Sequence, residues 1–205
     1  MKRLLSFLSI AVFLLFTQAS SAWAVDFTVS AHLDPATGVS ITASSVDSVS
    51  KVFTGVGSTL NFNPLTFNTK NSIWLPDHFF AIDVAPTGGG GSTDTTVSYA
   101  EPSSPNDATT GHGLGWKTTA NFFKVSGTPA KEDSLTSHGK KMLKDLSGEH
   151  ISPTEVAGGY LRIYVGIVTK DPAAVPLDPA TSEPFTNADK SGTYQGTLTV
   201  TATAV

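Results

Sequence analysis

The stretch "SGTYQGTLTVTATAV", residues 191–205, has the clearest strand pattern in the sequence. From Tyr194 onward, small or apolar side chains alternate with threonine and glutamine. A period of two is typical of a β-strand with one buried face and one exposed face. We therefore predict a final strand whose core-facing side chains are Tyr194, Leu198, Val200 and Ala202.

The same alternation begins at "VDFTVSAHL", residues 25–33, and recurs along the chain. The apolar face of this first strand consists of Val25, Phe27, Val29, Ala31 and Leu33. Further strands are predicted at 39–44, 60–68, 79–86, 95–102 and 119–127. Segment 159–170 is apolar on both faces, which is typical of a central strand. About eight short strands between Gly- and Pro-rich turns predict an all-β, immunoglobulin-like β-sandwich.

One segment, "KEDSLTSHGKKMLKDLSGEH" at 131–150, has a different period. Its apolar residues, spaced near the 3.6-residue helical period, are Leu135, Met142, Leu143 and Leu146. Asp133 or Ser134 is suited to cap the start of a helix, and Gly148 is suited to end it. We therefore predict one short surface helix over about 133–147.

Residues 1–24 have the layout of a secretory signal peptide. A basic start, "MKR", precedes an apolar run over 4–16 and an A-x-A cleavage pattern at 22–24. The apolar run is too short to predict a membrane span. We expect cleavage after Ala24 and a secreted mature chain of 181 residues without a membrane span.

Composition narrows the classes of partner. The expected mature chain has 11 basic and 17 acidic residues, a net charge of −6, and Arg162 is its one arginine. These features argue against nucleic acid as a partner. The chain has no cysteine, so disulfides cannot hold an exported fold together. Core packing, backbone pairing or a segment from another chain must do so.

No catalytic, metal or cofactor motif is present, and we predict that the protein is not an enzyme. The spacings H-E-x-x-H and G-x-S-x-G, the P-loop and the calcium loop are all missing from the sequence. Asp77 and His78, near Trp74, resemble an acid–base pair but are more typical of a loop around a half-buried indole. Trp74 and Trp116 are candidates for surface binding, because an indole can stack on a sugar; a core or rim position is the alternative.

The predicted strands at the two ends of the mature chain are the features that indicate a function. No charged residue occurs over 195–205. Charged side chains normally prevent an exposed edge strand from pairing with other chains, so this strand lacks that protection. The strand at 25–33 could fill a groove in a neighbouring copy by strand addition. Each large side chain buried in this way contributes about 1.5–3 kcal/mol.

"DFTVSAHLDPATGVSI" resembles the mature start of pilins of the alternate chaperone–usher class, the colonisation-factor fimbriae. Those pilins begin with x-I-T-V-T-A-x-V-D-P, which residues 27–35 match, and end with a pattern similar to G-x-Y-x-G-x-V-x-[VI]. "GTYQGTLTV" matches that ending at Gly192, Tyr194, Gly196, Leu198 and Val200. The resemblance covers about 25 residues at the two ends, and the absence of cysteine agrees with it.

The resemblance implies a structural fimbrial subunit assembled outside the inner membrane by donor-strand exchange, mediating adhesion at the cell surface. Residues 25–35 would be the donor-strand extension, and 36–205 an incomplete immunoglobulin-like domain whose C-terminal strand lines the acceptor groove. A periplasmic chaperone, an outer-membrane usher and copies of the subunit are the implied partners. The alternative is a secreted β-sandwich binding module that stays monomeric, with strand 25–33 folded back on its own domain.

Overall fold

Thirteen strands and two short helical turns occur in the computed structural model, which describes residues 25–88, 91–101, 112–127 and 134–205. The predicted signal peptide, 1–24, lies outside these ranges. The strands are β1 (Val25–Pro35), β2 (Val39–Asp47), β3 (Phe53–Val56), β4 (Thr59–Asn61), β5 (Leu65–Asn68), β6 (Ile73–Pro76), β7 (His78–Pro86), β8 (Thr93–Ala100), β9 (Thr118–Ser126), β10 (Ser134–Met142), β11 (Ser147–Ile151), β12 (Tyr160–Ile167) and β13 (Gly192–Ala204). Helix α1 is Leu114–Lys117, and a 3-10 turn is Leu143–Asp145. No helix in the described ranges is long and apolar enough to cross a membrane.

Two sheets enclose the core. The first has the strand order β11-β8-β13-β1-β4, and the second has the order β10-β9-β12-β7-β2-β3. Strands β5 and β6 form a separate two-stranded ribbon. Side chains from both sheets, including Phe27, Leu198, Phe80 and Ile163, join in one buried cluster. The predicted all-β sandwich is therefore confirmed.

Two predictions about buried strands are confirmed: the central strand within 159–170 and the core-facing side of the final strand. Strand β12 lies between β9 and β7, and all eight of its residues are buried. Strand β13 lies between β8 and β1. Its predicted core-facing residues, Tyr194, Leu198, Val200 and Ala202, are all buried. Alternation thus identified the buried face of this strand correctly.

The predicted helix over about 133–147 is wrong. Most of the segment forms β10, which pairs antiparallel with β9 and contains a bulge between Ser137 and Gly139. Gly139 has φ 137°, a conformation that an α-helix does not contain. Met142, Leu143 and Leu146 are buried because the chain turns there from one sheet to the other. Their helix-like spacing comes from that turn. The proposed cap at Asp133 lies outside the described residues.

Shorter elements were not predicted. Strands β3, β6 and β11 and helix α1 have no more than five residues each, too few for a periodic pattern. The single strand predicted over 60–68 is divided by Pro64 into β4 and β5, because proline cannot donate to a sheet ladder.

Residues 168–191 connect β12 in one sheet to β13 in the other. Asn121 holds this connection in place: its side chain donates to Leu177 O at 3.0 Å and accepts from Leu177 N at 2.8 Å. Further along, Phe185 enters the core. The connection therefore places an aromatic side chain beside the first and last strands.

Candidate functional site

The seam between the first and last strands is the candidate site. Strand β1 pairs with β13 in parallel over eleven residues, from Val25 opposite Gly192 to Pro35 opposite Ala202. Its other neighbour, β4, contributes three antiparallel pairs. Strand β1 is therefore held mainly by β13, and it lies in its own domain, as in the monomeric alternative.

One face of β1 is part of the core. Phe27, Val29 and Ala31 are buried, and the half-buried Leu33 packs against the same cluster. The Val25 side chain lies outside the described part of the structure. Alternate outward residues such as Ser30 and His32 are exposed. Alternation therefore predicted the buried face of β1, although it did not predict which chain or strand would cover it.

Three aromatic rings anchor this seam. Phe27 stacks on Tyr194 with ring centroids 5.0 Å apart and planes at 10°. Phe185 meets Phe27 edge-on at 4.2 Å and Tyr194 edge-on at 5.0 Å. The Tyr194 hydroxyl donates to Lys190 O at 2.9 Å. Sequence reasoning missed Phe185; its one signal was a large apolar side chain within a Pro-rich connection.

Gly196 on β13 makes room for a neighbouring tyrosine. A Cβ atom at this position would lie 2.0 Å from the Tyr99 hydroxyl oxygen. Burial raises the pKa of Tyr99 above its usual range, and the adjacent carboxylate of Glu101 raises it further. The second glycine of the G-x-Y-x-G pattern thus has a packing role in this chain.

The turn over 36–38 is the covalent hinge between β1 and β2, which belong to opposite sheets. Ala36 N donates to Ala202 O at 2.9 Å, and Val39 N donates to Ala36 O at 3.1 Å. Gly38 has φ 86°, a conformation that favours glycine. These three residues are the covalent link that would have to rearrange if β1 left its own domain.

Release of β1 would open a groove on the first sheet. The groove would be lined by Tyr194, Leu198 and Val200 from β13 and by Leu60 from β4, all of which are fully buried beside β1. An extended segment with apolar side chains at alternate positions would fit such a groove. Exchange of that segment between copies stays a prediction.

Trp74 lies in the ribbon and supports the seam from outside. Its ring is half-buried and 5.1 Å from the ring of Phe67. Nε1 donates to Asn187 Oδ1 at 2.9 Å, and its backbone N donates to Phe185 O at 2.8 Å. Trp74 therefore braces the segment that carries Phe185. Its predicted role in surface binding stays untested.

Trp116, in α1, has both faces covered. His112 stacks on it with centroids 3.6 Å apart and planes at 3°. The Lys144 ammonium lies 4.0 Å from the ring centroid, on the face that His112 leaves open. A sugar could stack here only after displacing one of them. Surface binding by Trp116 therefore also stays a prediction.

Both ring nitrogens of His78, in the candidate acid–base pair with Asp77, contact oxygen atoms of the protein. His78 Nδ1 lies 2.6 Å from Asp77 Oδ1, and Nε2 lies 2.8 Å from Asn61 O. Both contacts orient the ring within the protein, so neither nitrogen faces a substrate. In the described ranges, no group of three or more His, Asp or Glu side chains is placed to hold a metal ion.

Comparison with protein-family models, with curated proteins and with solved structures finds no significant match to this chain.

Proposed function

We propose that the protein is a structural subunit of a cell-surface fibre, joined to copies of itself by exchange of β1. The observation that carries this proposal is the seam: one apolar face of β1 fills the core, while a three-residue turn is the strand's link to the rest of the domain. The likeness of both ends to alternate chaperone–usher pilins supports it. Adhesion through such a fimbrium is part of the same proposal.

The direction of the strand favours exchange. Parallel pairing is slightly less stable per residue than antiparallel pairing, and β1 pairs with β13 in parallel. An alternating strand keeps its apolar residues on one face when its direction is reversed. The β1 strand of another copy, inserted in the opposite direction, would pair antiparallel with β13 along its longer edge, while its three pairs with β4 would become parallel.

The remaining partners follow from the resemblance. Without β1, the rest of the chain would be an incomplete immunoglobulin-like domain with an open apolar groove. A periplasmic chaperone would cover this groove before assembly, and an outer-membrane usher would exchange the covering strand for β1 of the next subunit. The protein would pass through the periplasm before it reaches the surface.

The monomeric alternative rests on one observation, the pairing of β1 with its own β13. A secreted β-sandwich binding module that never releases β1 would have this same structure. The two functions differ in whether the groove accepts a strand from another molecule.

Peptide complementation tests the groove. We expect a chain without residues 25–35 to be unfolded or aggregated alone, and to recover its β-sheet circular dichroism when refolded with a synthetic 25–35 peptide. The reason is that the peptide restores the buried side chains Phe27, Val29 and Ala31.

The matched control is the same peptide with Phe27→Ala and Val29→Ala, which keeps the backbone donors and acceptors but loses the anchors. We expect it to restore no fold. Equal recovery with both peptides, or a truncated chain that is stable alone, would show that the groove does not select this strand and would contradict the proposal.

A further inference from the structure

A buried lysine faces two carboxylates between the sheets. Lys117, at the end of α1, has a side chain that is 3% exposed, and its Nζ lies 2.9 Å from Oδ1 of Asp189, whose side chain is 0% exposed. Glu183 Oε2 lies 3.7 Å from the same Nζ. The amine and the acceptor carboxyl are thus buried side by side, and the second carboxylate, which is partly exposed, lies next to the amine.

The two oxygens of Asp189 have different surroundings. Oδ2 accepts hydrogen bonds from Thr186 N at 2.8 Å and Thr186 Oγ1 at 3.2 Å. Oδ1 accepts no hydrogen bond from the described residues, and Lys117 Nζ lies 2.9 Å from it as an ion-pair partner. One oxygen is therefore stabilised by two donors, while the other has the lysine nitrogen as its close neighbour.

We propose that Lys117 and Asp189 condense to an isopeptide bond, with Glu183 as the proton-transfer group. This modification is independent of strand exchange. An ion pair buried in this way carries a large desolvation cost, and condensation replaces two charges by a neutral amide. The reaction needs no oxidant, metal or cofactor, since its one by-product is water.

Two proton transfers and one attack by the lysine nitrogen would form the amide. Glu183 moves a proton from the ammonium to Asp189 Oδ1, which leaves a neutral amine and a neutral acid. The Nζ lone pair then forms a bond to Cγ, and negative charge develops on Oδ2. The Thr186 N–H and hydroxyl donate to that oxygen, as donors do in an oxyanion hole. Glu183 moves a second proton from nitrogen to Oδ1, the Cγ–Oδ1 bond breaks, and water leaves.

His112 gives Glu183 a route to solvent. Its Nδ1 lies 2.7 Å from Glu183 Oε2, and both side chains are partly exposed. Stacking on Trp116 at 3.6 Å holds the imidazole in place. The covered indole, which offers no open face to a sugar, thus has a positioning role for the carboxylate that transfers the proton.

The bond would join the two sheets covalently. Lys117 directly precedes β9 of the second sheet, and Asp189 lies shortly before β13 of the first. The two residues are about 70 positions apart, so the bond would close a long loop and restrict the unfolded chain as a disulfide does. A chain without cysteine would obtain a covalent link between its sheets.

Intact mass spectrometry of the purified full chain tests the bond. We expect the chain to be lighter by the mass of one water, about 18 Da, than its sequence requires. Trypsin should release residues 71–124 joined to residues 171–190, because a lysine acylated on Nζ is not cleaved. A wild-type chain at its full mass would overturn the proposal.

Variants separate this bond from other losses of water. Lys117→Arg and Asp189→Ala should each have the full calculated mass, and Glu183→Gln should accumulate the unlinked form. The unlinked variants should melt lower than wild type by roughly 10 °C. A wild-type loss of 18 Da with peptides 71–117 and 171–190 released separately would indicate a cyclised aspartate and would overturn the proposal. So would the same loss in Asp189→Ala.

Discussion

Arg162 illustrates how much one side chain can depend on one partner. It is 0% exposed, and its Nε and Nη2 donate to the two oxygens of Asp83 at 2.7 Å and 2.9 Å. The Phe53 ring covers the guanidinium at 4.7 Å. Burial alone lowers the pKa of Arg162, but the hydrogen bonds and charge of Asp83 outweigh it and raise the pKa. The arginine therefore stays charged inside the protein.

We expect Asp83→Asn to lower the free energy of unfolding by about 3–5 kcal/mol, because it leaves a buried guanidinium without its counter-charge. Urea denaturation at neutral pH measures the loss. Asp94→Asn is the matched control: Asp94 pairs with His150 at the surface, where such a pair contributes about 0–1 kcal/mol. Similar small losses in both variants would contradict the assigned role of Asp83.

At the scale of elements, β10 shows tertiary pairing overriding local periodicity. The apolar residues of segment 131–150 are spaced as in a helix, yet β10 within it forms the edge of the second sheet beside β9. Leu135, which the helix would have buried, is 37% exposed. The glycine at the bulge was the one local sign against a helix. A glycine within a helical pattern lowers its propensity but does not exclude it.

Gly139→Ala distinguishes a strand bulge from a helix, because it changes the free energy of unfolding in opposite directions in the two conformations. At φ 137°, alanine should destabilise the protein by about 1–2 kcal/mol through backbone strain, although a Cβ atom there meets no neighbour within 4 Å. In a helix the same change would stabilise by about 1 kcal/mol. The difference is measurable by urea denaturation. Lys140→Ala, at an exposed neighbouring position, should have little effect; a stabilised Gly139→Ala would contradict the bulge.

At the scale of the whole molecule, the two ends of the described chain form a single structural unit. Strand β1 lies in parallel along β13, and the Phe27–Tyr194–Phe185 cluster joins both to the connection between the sheets. Loss of β1 would expose part of the core, so an isolated subunit that releases the strand must find a replacement. This is the physical argument behind the proposed exchange between copies.

A disulfide that locks β1 on its own β13 tests exchange. Ser30 and Thr197 are exposed register partners, within the reach of a disulfide, and the natural chain has no cysteine to interfere. We expect Ser30→Cys/Thr197→Cys to stay monomeric when oxidised, after concentrated protein is warmed toward its melting temperature. Wild type and the reduced variant should form oligomers, as measured by size-exclusion chromatography. Oligomers of the oxidised form would contradict exchange, and a wild type that never assembles would support the monomeric alternative.

The amino-acid pattern was enough to predict the strands at both ends, from alternation, and the central strand, from a run that is apolar on both faces. Alternation also predicted that Phe27, Val29, Leu198 and Val200 face the core. These predictions were possible because successive side chains of a strand point to opposite faces, so a buried face requires an apolar residue at every second position. Three features depend on long-range packing: β1 pairs in parallel with its own β13, 134–142 is a strand, and Lys117 meets Asp189. Every strand has the same backbone donors and acceptors, so the pattern of side chains does not determine which strand pairs with which. Contacts between distant residues arise only when the packed core brings them together.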